Sequence, residues 1–118
     1  MNILIVDDNA RIRQAIRSLL QNHLPDATTI VECSNGPDAI SLCRENLPDW
    51  ILMDISMEPM NGFVTSHNIS KYHPGARIVF VTQYDEPAYR QEAKNCGGCA
   101  YVLKENLLDI PGLIRNIL

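Results

Sequence analysis

The stretch Trp50-Ile51-Leu52-Met53-Asp54 constrains this chain more than any other. Four apolar residues run without a break and end in a carboxylate. A run this short, with no polar alternation, predicts a strand buried on both faces, as in a parallel sheet. In an open α/β sheet, ligands gather outside the carboxyl ends of the strands. Asp54 is therefore either a strand terminator or helix cap, or a chemical group held at the mouth of the sheet.

The other strand ends bear on that choice. Ile3-Leu4-Ile5-Val6 is a second unbroken apolar run, and it ends at Asp7-Asp8. Asn9 is placed to cap a helix from Ala10 to Asn22, whose Ile12, Ile16, Leu19 and Leu20 keep helical spacing. Thr28 to Cys33 is β-branched and partly alternating, the pattern of a strand near a sheet edge. Ser34-Asn35-Gly36-Pro37 turns into a helix with Ala39, Ile40, Cys43 and Leu47 on one face. Ser56 to Gly62 reads as a loop, and Phe63 to Tyr72 as a helix broken by His73-Pro74-Gly75. Arg77 to Thr82 is a strand ending in a hydroxyl. Glu86-Pro87-Ala88 opens a short helix that Cys96-Gly97-Gly98 ends. Ala100 to Lys104 is a fifth strand, ending in an amine. A last helix starts between Leu107 and Pro111 and carries Leu113, Ile114, Ile117 and Leu118.

The order is (βα) repeated five times, which predicts a doubly wound parallel sheet with helices on both faces. The most polar strand, the second, belongs at an edge. The strand order 2-1-3-4-5 follows, with its switch point between strands one and three. At 118 residues the chain is expected to form one domain, and any effector domain would lie after residue 118. No apolar run approaches the about 20 residues of a membrane span. The apolar start reaches acid at Asp7, too soon for a signal peptide, so the expected location is cytoplasmic and no membrane partner is expected. A net charge of −4 argues against nucleic-acid binding by this segment itself.

The strand ends make a constellation. Asp7, Asp8, Asp54, Thr82 and Lys104 all open on the same edge of a parallel sheet. Three carboxylates in one pocket repel each other, and a divalent cation relieves that repulsion. Oxygen ligands of this kind suit Mg²⁺, which keeps several waters and so has open positions for phosphoryl oxygens. Lys104 supplies a compact positive charge and Thr82 a donor. Such a set suits phosphoryl transfer, in which stabilising spread negative charge does most of the work.

Val6-Asp7-Asp8, the loop from Asp54 to Gly62, Val81-Thr82 and the stretch from Gly97 to Lys104 together resemble the receiver domain of two-component response regulators, a flavodoxin-like fold. The resemblance covers essentially the whole chain. It implies that Asp54 accepts a phosphoryl group from a sensor histidine kinase. It implies that Asp8 and Asp54 bind Mg²⁺ with the backbone carbonyl of Ser56, with Asp7 acting mostly through water. It implies that Thr82 and Tyr101 form a switch pair and that Lys104 pairs with the phosphoryl group. Phosphorylation would then reshape the surface of the fourth helix, fifth strand and fifth helix. There a partner, or a second copy in a homodimer, could bind. DNA would be reached only through an output domain.

Three positions depart from the family pattern. Glu58 stands where a proline is usual, with Pro59 next; Gln83 follows the switch hydroxyl where a small residue is usual; Glu105 follows Lys104 where proline is frequent. A cis bond before Glu105 would cost about 3 kcal/mol, against about 1 or less before proline, and the sequence leaves the isomer open. Receivers joined to LuxR-type output domains often lack that proline, which points to that subgroup.

Other readings compete. A haloacid-dehalogenase-like phosphatase uses similar groups but places its nucleophile in an Asp-x-Asp pattern after strand one, where this chain has adjacent Asp7-Asp8. An FMN carrier needs small residues and hydroxyls there, and two carboxylates would repel its phosphate. A phosphorylation-independent interaction module is the third alternative. Cys96 and Cys99 have redox-motif spacing, but they follow a helix, near its negative end, which disfavours a reactive thiolate.

Overall fold

The computed structural model describes residues 1–117. Five parallel strands form one sheet in the order β2-β1-β3-β4-β5. They are β1 (Asn2–Val6), β2 (Thr29–Cys33), β3 (Trp50–Met53), β4 (Ile78–Thr82) and β5 (Gly98–Leu103). The helices between and after them are α1 (Ala10–His23), α2 (Gly36–Glu45), α3 (Gly62–Tyr72), α4 (Pro87–Asn95) and α5 (Asp109–Ile117).

Strand alternation divides the apolar runs between two cores. Ile3, Ile5, Trp50, Leu52, Val79 and Val81 pack with Ile16 and Leu20 of α1 and Ile114 of α5. Leu4, Val6, Ile51, Met53, Ile78 and Phe80 pack with Ala39 and Cys43 of α2, Ile69 of α3 and Ala93 of α4. A strand covered on both faces has no position for a polar residue, so its sequence cannot alternate. The edge strand β2 has water on one side, and it alone of the first four strands carries exposed positions, Thr29 and Val31.

Asparagine starts three of the helices. The side chain of Asn9 accepts from the backbone N–H groups of Arg11 and Ile12, that of Asn35 from Asp38, and that of Asn61 from Val64. Each satisfies donors that the first helical turn leaves unpaired. Helix α4 uses Pro87 in its first turn instead.

Some boundaries differ from those the sequence predicts. Leu47 lies beyond the end of α2 and packs against the core from the following loop. Strand β5 begins at Gly98, because Gly97, at φ +100°, already reverses the chain after α4. Lys104 opens a single 3-10 turn through Asn106 instead of ending the strand. The peptide before Pro59 is the cis bond among the described residues, so the Lys104–Glu105 bond is trans. Leu118, which the helical spacing placed on the last apolar face, lies outside the described residues.

Candidate functional site

Four of the five strands deliver groups to the carboxyl edge. Asp7 and Asp8 leave β1, Asp54 leaves β3, Thr82 ends β4 and Lys104 follows β5. Parallel pairing brings β1 and β3 level, with Val6 opposite Met53, and the N–H of Asp54 donates to the carbonyl of Val6. The two acidic turns are therefore neighbours. Oxygen atoms of Asp7, Asp8 and Asp54 lie within 4.8 Å of one another. Asp7 and Asp54 are buried and Asp8 is exposed. Lys104 Nζ sits 3.0 Å from one carboxylate oxygen of Asp7 and 3.2 Å from one of Asp54. Four of the five groups that the sequence places at one edge, Asp7, Asp8, Asp54 and Lys104, thus meet in one pocket.

Three carboxylates against one ammonium leave two negative charges uncompensated. Burial, together with the nearby Asp7 carboxylate, pushes the Asp54 carboxyl up to about 6, and Lys104 only partly offsets this. Lys104 itself is held above its ordinary value by Asp54 and Asp7, against the effect of burial, and stays charged. This donor set, all oxygen and short by two positive charges, fits a hard divalent cation that keeps part of its water shell.

A pH dependence follows for protein in buffer free of divalent cations. The folded state holds the Asp54 proton up to about pH 6, whereas an unfolded chain releases it near 3.8. Between these values the folded state binds more protons, so stability falls as pH rises through the window and levels off above it. The stability of wild type minus that of Asp54→Asn should decrease between about pH 4 and about pH 6, by about 3 kcal/mol at most. A flat difference across that range, from urea unfolding at each pH, would contradict the burial of an ionisable Asp54.

Thr82 is fully buried, and its Oγ1 accepts from the N–H of Tyr84 at 3.3 Å. The hydroxyl of Tyr101 donates to the carbonyl of the same Tyr84 at 2.7 Å, while the guanidinium of Arg90 lies 4.6 Å over the Tyr101 ring. Tyr101 packs against the core on the side of α2, α3 and α4. Its hydroxyl thus reaches the β4–α4 loop at Tyr84. Gln83 is exposed and takes no core volume.

Sequence reasoning missed Tyr84. Its ring stacks on Tyr89 at 4.8 Å and its hydroxyl lies 3.0 Å from Ser56 Oγ; Tyr84 and Ser56 line a cavity of about 460 Å³ with Asp8 and Glu58. A tyrosine two residues past a strand end has no chemical signature of its own, and only the return of the β3–α3 loop gives it a partner. The thiols favour their protonated form. Burial pushes Cys33, Cys43 and Cys96 up to about 11 and raises Cys99 as well.

A doubly wound sheet with this edge order and this acid–lysine pocket defines the class: an α/β domain built to hold charge at its switch point. The chain belongs to the response regulator receiver domain family, whose family model matches residues 3–114. It is 34% identical over 117 residues to the response regulator protein VraR of Staphylococcus saprophyticus, covering 98% of this chain and 56% of that one. A solved LuxR-family DNA-binding response regulator from Staphylococcus aureus superposes with a TM-score of 0.88 at 30% identity, over 98% of this chain and 97% of that one. The receiver domain of the Arabidopsis thaliana histidine kinase CKI1, solved with Mg²⁺, shares the fold at a TM-score of 0.87 and 24% identity, over 99% and 91% of the two chains. This chain spans about half the length of the curated relatives it matches. The phosphatase and FMN-carrier readings are not favoured by this kinship. No described helix is long and apolar enough to cross a membrane.

Proposed function

We propose that this chain is the phosphorylation-activated switch of a LuxR-type response regulator. Asp54 accepts the phosphoryl group of a sensor histidine kinase, and the change governs an output domain that regulates transcription. The observation that carries this reading is the buried Asp54 carboxylate 3.2 Å from Lys104 Nζ, with Asp7 and Asp8 beside it. An Asp54 oxygen attacks phosphorus, the bond from phosphorus to the donor's nitrogen breaks, and the donor leaves with its electron pair. Lys104 binds a phosphoryl oxygen as charge spreads over the group, and the Thr82 hydroxyl donates to another.

Asp7, Asp8, Asp54 and the Ser56 backbone carbonyl would hold Mg²⁺, which neutralises charge on the transferring group. The Mg²⁺-bound receiver from Arabidopsis, with the same fold, supports this assignment. The chain then modifies itself once and hydrolyses the product. It is a self-phosphorylating switch, not an enzyme acting on a separate substrate. Residues 1–118 form the receiver unit, the output lies on a longer protein, and the setting is the cytoplasm. The test is incubation with phosphoramidate, with and without Mg²⁺, read by intact mass. One added phosphoryl group only with Mg²⁺ is expected, and an unmodified wild type would reject the reading.

Mg²⁺ that binds only the folded state stabilises it by mass action, by about 2.7 kcal/mol at a hundredfold excess over Kd. The melting temperature should therefore rise through the millimolar range of Mg²⁺ and stay unchanged for Asp8→Ala. An unmoved wild-type melting temperature would argue against a formed site.

The switch reads through one residue. Tyr84 is bound at its N–H by Thr82 and at its carbonyl by Tyr101. A Thr82 hydroxyl drawn to a phosphoryl oxygen releases the N–H side and shifts the loop to which Tyr101 is tied, which alters the α4–β5–α5 surface presented to an output domain or a second copy. Thr82→Ala should accept the phosphoryl group but leave the amide resonances around Tyr101 and Arg90 unmoved. Equal shifts in the variant and in wild type would break the proposed coupling.

A further inference from the structure

The peptide that joins the two acids following β1 is gripped from the edge of the sheet. The N–H of Asp7 donates to the carbonyl of Cys33 at 3.2 Å, which continues the β1–β2 ladder by one step. The carbonyl of Asp7 lies past the ladder, and there Arg13 Nη1 donates to it at 2.7 Å. Arg13 Nε in turn donates to Glu32 Oε1 at 3.0 Å. Glu32 is shared with Arg17, whose Nη2 also donates to the carbonyl of Ile30 at 3.1 Å. These two arginines hold the Glu32 carboxyl below its usual range, so the pair is charged at neutral pH. The side chain of Asp7 adds a third bond to the turn, accepting from the N–H of Asn9 at 2.8 Å.

Asp8 depends on this turn more than its neighbours do. It is exposed, so its carboxylate is placed by the backbone beneath it and not by packing. A guanidinium fixed at two sites is a rigid fork, and fixing the Asp7 carbonyl fixes the peptide plane from which Asp8 departs. We propose that Arg13 is a positioning residue for the cation site: it orients the Asp7–Asp8 peptide so that both carboxylates face Asp54. This inference rests on the reading of the acidic pocket as a Mg²⁺ site. Arg17 is the internal control, because it shares Glu32 but does not touch the turn.

The test compares wild type, Arg13→Met, Arg13→Lys and Arg17→Met in the whole chain, by Mg²⁺ titration calorimetry and by amide hydrogen exchange without metal. Arg13→Met should bind Mg²⁺ about tenfold more weakly, the scale on which groups behind metal ligands act. It should also speed exchange at Asp8 and Asn9. Arg13→Lys, which keeps a charge beside Glu32 and loses the fork, should recover part of the affinity and keeps the test open should Arg13→Met fold poorly. Arg17→Met should lose stability but keep wild-type affinity and exchange at the turn. Wild-type Mg²⁺ affinity in both Arg13 variants would overturn the proposal, as would an equal loss of affinity in Arg17→Met. If wild type binds no Mg²⁺, the cation reading fails; faster exchange at Asp8 and Asn9 in Arg13→Met alone would then uphold the grip on the turn, and unchanged exchange would overturn that as well.

Discussion

Asp54→Ala protein incubated with phosphoramidate and Mg²⁺ should remain at its unmodified mass while wild type gains one phosphoryl group. The effect is all or none because the variant removes the proposed acceptor and neither remaining acid of the pocket is placed as Asp54 is. Asp7 shares the lysine, but it is committed to the Asn9 N–H, and Asp8 faces solvent without an ammonium beside it. The same variant should not lose stability at neutral pH. Removing a buried carboxylate whose ionisation is opposed by desolvation and by Asp7 relieves a cost, and functional residues often carry such costs. Loss of modification with retained or raised stability is therefore the expected pair. Modification of Asp54→Ala to the wild-type level would place the acceptor elsewhere.

The second large effect lies behind the acceptor. Gly62 opens α3, and its N–H donates to the carbonyl of Ile55 at 2.8 Å, closing the loop that leaves β3. A Cβ at this position would stand 1.9 Å from the carbonyl oxygen of Asp54 and 3.0 Å from the Cα of Ile55. Both obstacles are backbone, so no side chain can swing away. Gly62→Ala should cost about 3 kcal/mol or more, at the upper end of overpacking penalties, and lower the melting temperature by roughly 10 °C. The clash falls on the acceptor residue itself, so the rate of phosphoryl uptake should drop as well. Gly75→Ala is the control, since nothing lies within 4 Å of its added methyl group. Equal melting temperatures for the two variants would mean that the loop yields without cost.

The sequence by itself determined the order of elements and the edge at which the chemistry gathers. Unbroken runs such as Trp50–Met53 can survive only between two helical layers, and the structure divides them residue by residue between the two cores. The polar pattern of Thr29–Cys33 marks the strand that water reaches. Asp7, Asp8, Asp54 and Lys104 were legible because each directly follows a run whose end the chain announces. These signals are local, carried by neighbours along the backbone. What only the tertiary structure decided depends on residues far apart in sequence and on distances. Gly62 reads as the last residue of a loop until the Asp54 carbonyl is seen against it. Arg13 reads as a solvated helix charge until the β2 edge brings Glu32 beneath it. Tyr84 is ordinary until Thr82 and Tyr101 take its two backbone groups. The raised Asp54 carboxyl belongs to the same set, because charge repulsion and desolvation are set by separation and burial, and a sequence records neither.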